Sequence, residues 1–456
     1  MIRRFDAIVI GAGQAGPPMA GRLAAAGKTV ALVERKLVGG TCVNVGCTPT
    51  KTLVASAYAA HLARRAVDFG VSAGPVGVDF PVVMSRMNRV VDDKRAGLES
   101  WLRGMAQCTL VQGHARFISP HAVEVGGETL EADRIFINVG ARAVIPDFPG
   151  ADRVPLLTNS TLLRLEAPPR HLVVIGGSYI GLEFAQIFRR LGAAVTVVEK
   201  APRLVPREDP DVSDAVRAIL EAEGIAIRCS AECIRFAALG PDVEVGVDCQ
   251  SGEPAVAGSH ALVAVGRRPN TDDLGLDAAG VAIDGSGFIV VDDELRTSVP
   301  HIWALGDCNG RGAFTHTSYN DYEIVAANLF DGGRRKVTER NTVYALFVDP
   351  PLGRVGLSET EAKAKGYAVR VGKRPMTRVA RAVEKGETQG FMKVVVDQDT
   401  DAILGAAILG VGGDEAIHGV IEAMAASVSA TAYTRVMAIH PTVSELVPTV
   451  FGELAP

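Results

Sequence analysis

The chain has 456 residues, with 47 Lys+Arg against 52 Asp+Glu and a net charge of −5. That weakly acidic balance excludes the dense positive field of non-specific nucleic-acid binding. The length fits two or three domains, no apolar run reaches the roughly 18 uncharged residues of a membrane span, and 49 glycines with only 5% aromatic residues suit tight turns and close backbone approach to ligands.

The N-terminus, MIRRFDAIVIGAG, places apolar residues after two arginines, but Asp6 interrupts them and no cleavage-type site follows. It reads as a first strand rather than a signal peptide. Segment 5–34, FDAIVIGAGQAGPPMAGRLAAAGKTVALVE, is then strand, Gly-rich turn, helix and second strand. Gly11, Gly13 and Gly16 let the chain turn sharply and bring backbone N–H groups against a pyrophosphate at a helix N-terminus. Pro17 and Pro18 fall in the first helical turn, where a missing N–H costs little. Glu34 stands 18 residues after Gly16, close to the ~20 that suits a carboxylate on a ribose 2′-hydroxyl.

Next comes GGTCVNVGCTPTKTLVASA at 39–57, with Cys42 and Cys47 flanked by glycines. Thr48-Pro49 marks a helix start. Cys47 then lies at a helix N-terminus, whose macrodipole favours a thiolate, and Lys51 lies one turn further on the same face. A zinc site is disfavoured because no second Cys/His pair follows; two unrelated buried thiols are the bland alternative. Seven scattered cysteines do not make a disulfide scaffold and fit the reducing cytoplasm, where a close pair is more often catalytic or metal-binding. Cys108, Cys229, Cys233, Cys249 and Cys308 read as small core residues.

Residues 53–70 and 81–107 have helical patterns, and 108–140 reads as short strands with Gly turns. Segment 170–199, RHLVVIGGSYIGLEFAQIFRRLGAAVTVVE, then repeats the opening unit. Gly11 and Gly176, Gly16 and Gly181, and Glu34 and Glu199 are each 165 residues apart. The second copy departs at its middle position, where Ser178 replaces glycine. A duplicated βαβ unit is the simplest reading, so the chain is expected to bind two dinucleotides. Residues 242–265 are strand-rich, GRRPNT follows at 266–271, and a strand leads into 304–308. A mixed α/β segment begins near 341, with strands at 391–396 and 402–409 and a helix at 415–426. In AIHPTVSELVPTV, Pro441 is expected to start a helix that brings Glu445 to His440, fixing its tautomer and raising its basicity.

Six ordered motifs span nearly the whole chain: GAGQAG (11–16), GGTCVNVGCTPTK (39–51), GGSYIGLE (176–183), VGRRPNT (265–271), ALGD (304–307) and HPTVSE (440–445). Together they resemble the class I flavin-dependent pyridine nucleotide–disulfide oxidoreductases, which include dihydrolipoamide dehydrogenase, glutathione reductase and mercuric reductase. The resemblance implies an α/β fold with two Rossmann-like dinucleotide-binding domains, for FAD and NAD(P), and a C-terminal α+β dimerisation domain. The implied boundaries are 1–145 and 267–338 for the FAD-binding parts, 146–266 for the NAD(P)-binding domain and 339–456 for dimerisation. Glu34 is then expected on the adenosine ribose and Asp307 on the ribitol side of FAD. Gly40, Thr41 and Gly140 complete the FAD set, and Gly176, Ser178, Gly181, Glu199 and Gly266 the nucleotide set.

The same resemblance makes Cys42–Cys47 a redox-active disulfide. Cys42 is its interchange thiol and Cys47 the thiol in charge-transfer contact with the flavin. Lys51 and Glu183 pair near the flavin N5, Tyr179 covers the flavin until the nicotinamide displaces it, and His440 with Glu445 comes from the other subunit of a homodimer. Electrons would pass from NAD(P)H through FAD to the dithiol and on to a small-molecule disulfide or thiophilic metal ion, with no resident metal, nucleic acid or membrane involved. Glu199 favours NADH by repelling a 2′-phosphate, although Lys200, Arg203 and Arg207 offer NADPH a phosphate site. Against mercuric reductase, the flavin motif begins at Asp6 with no Cys-containing module before it, and the C-terminal VFGELAP lacks a cysteine pair. Dihydrolipoamide dehydrogenase, as a subunit of a 2-oxo acid complex, is the alternative, although Ala438 stands where those enzymes more often carry a second His.

Overall fold

The computed structural model describes residues 1–232, 234–247 and 254–455; Cys233 and Cys249 lie outside them. The chain forms two compact units. One comprises 1–52, 82–144 and 266–340, the other 53–81, 145–265 and 341–456.

The first unit is built on a parallel sheet. Strand Ile2–Ile10 pairs with Val30–Glu34 on one side and Glu128–Ile137 on the other. Cys108–Gln112 extends the sheet beyond Val30–Glu34, and Ile302–Ala304 lies parallel beside Glu128–Ile137. An antiparallel meander, Ala115–Ser119 and Ala122–Val125, pairs onto Glu128–Ile137. Ala7, Ile8, Val9 and Ile10 are all buried, because this central strand is covered on both faces. Its end meets the glycine loop where the sheet order reverses, the position at which open α/β sheets bind ligands.

The second unit repeats that plan with Ala226–Arg228, Ala194–Val198, His171–Ile175, His260–Val263 and Leu156–Leu157 in a parallel sheet. A three-stranded antiparallel sheet spans Arg235–Leu239, Asp242–Gly246 and Ala255–Gly258. Its C-terminal segment forms a five-stranded antiparallel sheet, in the order Val343–Leu346, Leu352–Gly356, Ile403–Leu409, Phe391–Asp397, Val369–Pro375. Among the described residues, no helix is long and apolar enough to cross a membrane.

Three local expectations differ from the structure. The 415–426 helix is two pieces, Gly413–Ala416 and His418–Ala425, although the Ile417 N–H still reaches the Gly413 carbonyl at 3.2 Å. Pro441 does not open a helix: the Thr442 hydroxyl donates to the Ile439 carbonyl and accepts from the Glu445 N–H. A hydroxyl accepting the N–H three residues on is an N-capping bond, so the helical path starts after Thr442, as a 3-10 turn at Ser444–Leu446 that runs into the α-helix at Val447. Cys108 and Cys308 are buried, but Cys229 is half-exposed.

Candidate active site

The two glycine loops are built alike. Gly11 and Gly176 have φ of +104° and +113°, and a Cβ on either would sit 2.3 Å from the Asn138 carbonyl or 2.5 Å from the Ala264 carbonyl. Only glycine fits such a turn. The carboxylate at the end of each second strand is pinned to its loop. Glu34 accepts the Ala12 N–H at 2.9 Å and the Lys36 N–H at 2.8 Å. Glu199 accepts the Gly177 N–H at 2.6 Å and the Ala201 N–H at 2.7 Å. Both are held at the strand end where a ribose-binding carboxylate belongs.

Beneath the first loop lies a residue the sequence did not announce. The Asn138 amide oxygen accepts the Gly16 N–H at 3.0 Å and its NH₂ donates to the Leu305 carbonyl at 2.9 Å. A Cβ at position 13 would come within 2.9 Å of that amide oxygen. In the second unit the corresponding strand end carries Ala264, which has no such side chain. This explains why Ser178 is tolerated where Gly13 is required.

The Cys42 helix (Gly40–Val45) is docked on the first loop: the Gly39 N–H donates to the Ala12 carbonyl at 2.7 Å, and a Cβ at Gly40 would lie 2.8 Å from the Gly13 Cα. Thr41 follows on the same turn. Cys47 is the first residue of helix Cys47–Arg64, with Lys51 one turn along it. Its Sγ lies 3.2 Å from the Thr315 hydroxyl, and Thr315 is the first residue of helix Thr315–Phe330. Two helix N-termini therefore meet at this sulfur, each favouring negative charge. Cys42 is pushed well above the usual thiol range, first by its hydrogen bond to Cys47 and then by burial. Of the two, Cys47 is the sulfur whose surroundings favour negative charge.

Elsewhere in this unit, Gly140 (φ +65°) accepts the Asn270 N–H at 3.0 Å, and Gly266 (φ +142°) accepts the Val144 N–H at 3.1 Å. Asp307 is paired with Arg267 at 3.1 Å. Burial raises its carboxyl and the guanidinium opposes that shift. A loop with glycine at its closest approaches, a pinned Glu34 and a half-buried Asp307 suit a dinucleotide with hydroxyl groups at both ends.

In the second unit, helix Tyr179–Arg190 carries a polar stripe at positions 179, 183, 186 and 190, spaced i, i+4, i+7, i+11, which is one helical face. Segment 344–349 binds all four. Tyr344 and Tyr179 rings meet edge-on with centroids 5.4 Å apart. Glu183 accepts the Phe347 N–H at 3.0 Å. Gln186 exchanges two hydrogen bonds with the Asp349 backbone at 2.7 and 2.8 Å, and Arg190 pairs with the Asp349 carboxylate at 2.6 Å. Glu183, Gln186 and Arg190 are each 5% exposed or less, so these bonds offset the cost of burying polar groups.

Also in this unit, Glu445 grips His440 Nδ1 with both oxygens, at 3.0 and 3.2 Å. The imidazole is 76% exposed and the carboxylate only 11%. With Nδ1 engaged, Nε2 is the nitrogen left for proton exchange. Cys42, Cys47, Thr315 and Lys51 thus belong to the first unit, and Tyr179, Glu183, His440 and Glu445 to the second. Among the described residues, no group of three or more His, Cys, Asp or Glu side chains is arranged to hold a metal ion.

Residues 5–321 match the family model for pyridine nucleotide-disulphide oxidoreductases, and 342–451 match the dimerisation domain of that family. The chain belongs to this family of flavin-dependent oxidoreductases, which use FAD and a pyridine nucleotide. It is 37% identical to the probable pyridine nucleotide-disulfide oxidoreductase RclA of Escherichia coli (strain K12), covering 99% of both chains. It is 34% identical to a dihydrolipoyl dehydrogenase of Thermus scotoductus, covering 97% of this chain and 96% of that one. A mercuric reductase of Bacillus cereus is 33% identical over 97% of this chain and 70% of its own length. The solved Cu(II) complex of the HOCl-induced flavoprotein disulfide reductase RclA from Escherichia coli superposes with a TM-score of 0.90 at 35% identity, covering 99% of each chain.

Proposed function

We propose that this protein is an NADH-preferring reductase, active as a homodimer, whose Cys42–Cys47 pair delivers electrons to a small disulfide or a thiophilic metal ion. The observation that carries this is the asymmetry of the pair: Cys47 meets two helix N-termini and the Thr315 hydroxyl at 3.2 Å, while the Cys42 thiol is raised by its hydrogen bond to Cys47 and by burial. Bound FAD supplies the relay between a two-electron hydride donor and a dithiol. Glu34, Asp307 and the Gly11–Gly16 loop would hold it, with Gly40, Thr41 and Gly140 closing the site. Gly176, Ser178, Gly181, Glu199 and Gly266 would hold the nucleotide, and Lys51 and Glu183 would flank the reacting ring.

The residues divide the work on a disulfide substrate. Cys42, once deprotonated, attacks one substrate sulfur, forming a mixed disulfide and expelling the other sulfur as a thiolate. His440, steadied by Glu445 and supplied by a second copy, takes the Cys42 proton and returns it to that thiolate. Cys47 then attacks the Cys42 sulfur of the mixed disulfide, expelling the second substrate sulfur as a thiolate, which takes its proton from solvent, and re-forms the Cys42–Cys47 disulfide. The balance is one NADH and one proton per disulfide reduced to two thiols, or one NADH per two Cu(II) ions reduced by one electron each, with one proton released. The RclA structure as a Cu(II) complex supports including copper among the acceptors. Arg203 is neutralised by Asp214, which weakens the case for a 2′-phosphate site and supports NADH.

An anaerobic panel tests the reading: NADH or NADPH against glutathione disulfide, Hg²⁺ and Cu²⁺, with dihydrolipoamide and NAD⁺ alongside. Fast lipoamide turnover would replace it with the dihydrolipoamide dehydrogenase alternative, which the Thermus scotoductus relative supports. Either Cys42→Ser or Cys47→Ser should cut acceptor reduction by roughly a thousandfold or more. Two-electron reduction should produce a long-wavelength thiolate-to-flavin band that Cys47→Ser abolishes and Cys42→Ser displays without reductant. Identical behaviour of the two variants would overturn the assignment of the sulfurs.

A further inference from the structure

The hydroxyl of Tyr179 donates to Glu208 Oε1 at 3.1 Å, and the hydroxyl of Tyr344 donates to the same oxygen at 2.7 Å. Arg354 Nε lies 3.6 Å from the other carboxylate oxygen, and both charged side chains are almost wholly buried, at 2% and 0% exposure. Glu208 Oε2 and Arg354 Nη2 have no hydrogen-bond partner among the described residues. A buried ion pair with unmet bonding capacity is expensive to keep for stability alone. This one fixes a carboxylate against the single residue of the helix start expected to move.

We infer that Glu208, anchored by Tyr344 and Arg354, is a latch on Tyr179 that sets how readily nicotinamide gains access to the flavin. The inference rests on the reading of Tyr179 as the ring a nicotinamide displaces, and adds the residues that resist the displacement. Moving Tyr179 breaks its bond to a desolvated carboxylate, so the nucleotide's apparent affinity is reduced by the fraction of molecules in which the latch is closed. Tyr344 lies in strand Val343–Leu346, the first strand of the C-terminal sheet. The latch therefore ties nucleotide access to the segment that matches the dimerisation domain. Burial, followed by the charge of Glu208, raises both tyrosine hydroxyls well above their ordinary range, which keeps them donors.

The test is anaerobic stopped-flow reduction of the flavoprotein by NADH, yielding the nucleotide Kd and the limiting reduction rate separately. Tyr179→Phe keeps the ring and removes the latch bond; it should lower the Kd for NADH about three- to tenfold. Glu208→Gln should lower it in the same direction, and the double variant should match Tyr179→Phe alone, because both changes open one latch. The KM for the electron acceptor and the FAD content should not change. An unchanged or weakened NADH Kd in Tyr179→Phe, or fully additive effects, overturns the latch. Tyr179→Ala separates this from the underlying reading: if it alters neither Kd nor reduction rate, Tyr179 does not stand in the nucleotide's path at all.

Discussion

The two βαβ units share a plan and differ in what lies beneath the loop. Each has a positive-φ turn that only glycine accepts, a helix glycine whose Cβ would strike the loop carbonyl at 2.0 or 2.1 Å, and a carboxylate pinned to the loop by two N–H groups. In the first unit Asn138 ties the loop to the Leu305 carbonyl, 167 residues away. In the second, Ala264 leaves the floor apolar, and the anchoring moves to the outer face of the helix, where segment 344–349 grips it. A loop pinned from below suits a ligand that stays. A loop without a pin, beside a helix start carrying a latched tyrosine, suits one that comes and goes.

Of the changes that set the two units apart, the largest effect is expected from removing the floor's advantage in the first. Gly13→Ser should lower FAD retention tenfold or more, since its Cβ meets the Asn138 amide oxygen at 2.9 Å and displacing that group forfeits two buried hydrogen bonds, each worth about 1 kcal/mol. The same change in an Asn138→Ala background should cost much less, because the obstacle is gone. Equal costs in both backgrounds, measured by FAD released on dilution, would show that Asn138 is not what demands glycine.

Motifs confined to a few dozen residues are legible in the amino-acid sequence: both loops, both carboxylates, the helix start that places Cys47, and the His440–Glu445 pair. Each depends on local geometry that spacing encodes. Asn138, Thr315 and the Tyr344–Glu208 contact are not legible there, because their partners lie 122, 268 and 136 residues away and no periodicity records such pairing. One trace does exist. Glu183, Gln186 and Arg190 recur on one face of a helix between two buried strands, and buried polar stripes require a partner. The stretch 441–445 departs from expectation because a Pro after His reads as a helix start, whereas it is the Thr442 hydroxyl that caps the helical path, which begins at Ser444.

A second, smaller effect sharpens the comparison at the strand ends. Glu199→Ala should narrow the preference for NADH over NADPH about tenfold, measured as the ratio of kcat/KM values, by removing a repulsive charge from the 2′ position. Glu34→Ala, at the matching place in the first unit, should leave that ratio unchanged and act on FAD retention alone. A shift of nucleotide preference by Glu34→Ala would mean that the two sites have been assigned to the wrong units.

The smallest effect is the most discriminating. Ser178→Gly restores the glycine of the first copy in the second, and simple motif logic would predict tighter nucleotide binding. With no amide beneath the loop, the KM for NADH should change less than twofold. Ser178 holds extended backbone, with φ −112° and ψ −175°, and makes no side-chain capping bond, so glycine relieves no strain and forfeits no bond. At the strand end below, Ala264 carries a methyl group where the first unit has the Asn138 amide. A several-fold gain would show that the serine Cβ does obstruct the nucleotide, and that the second loop is a compromised copy of the first rather than one fitted to an exchanging ligand.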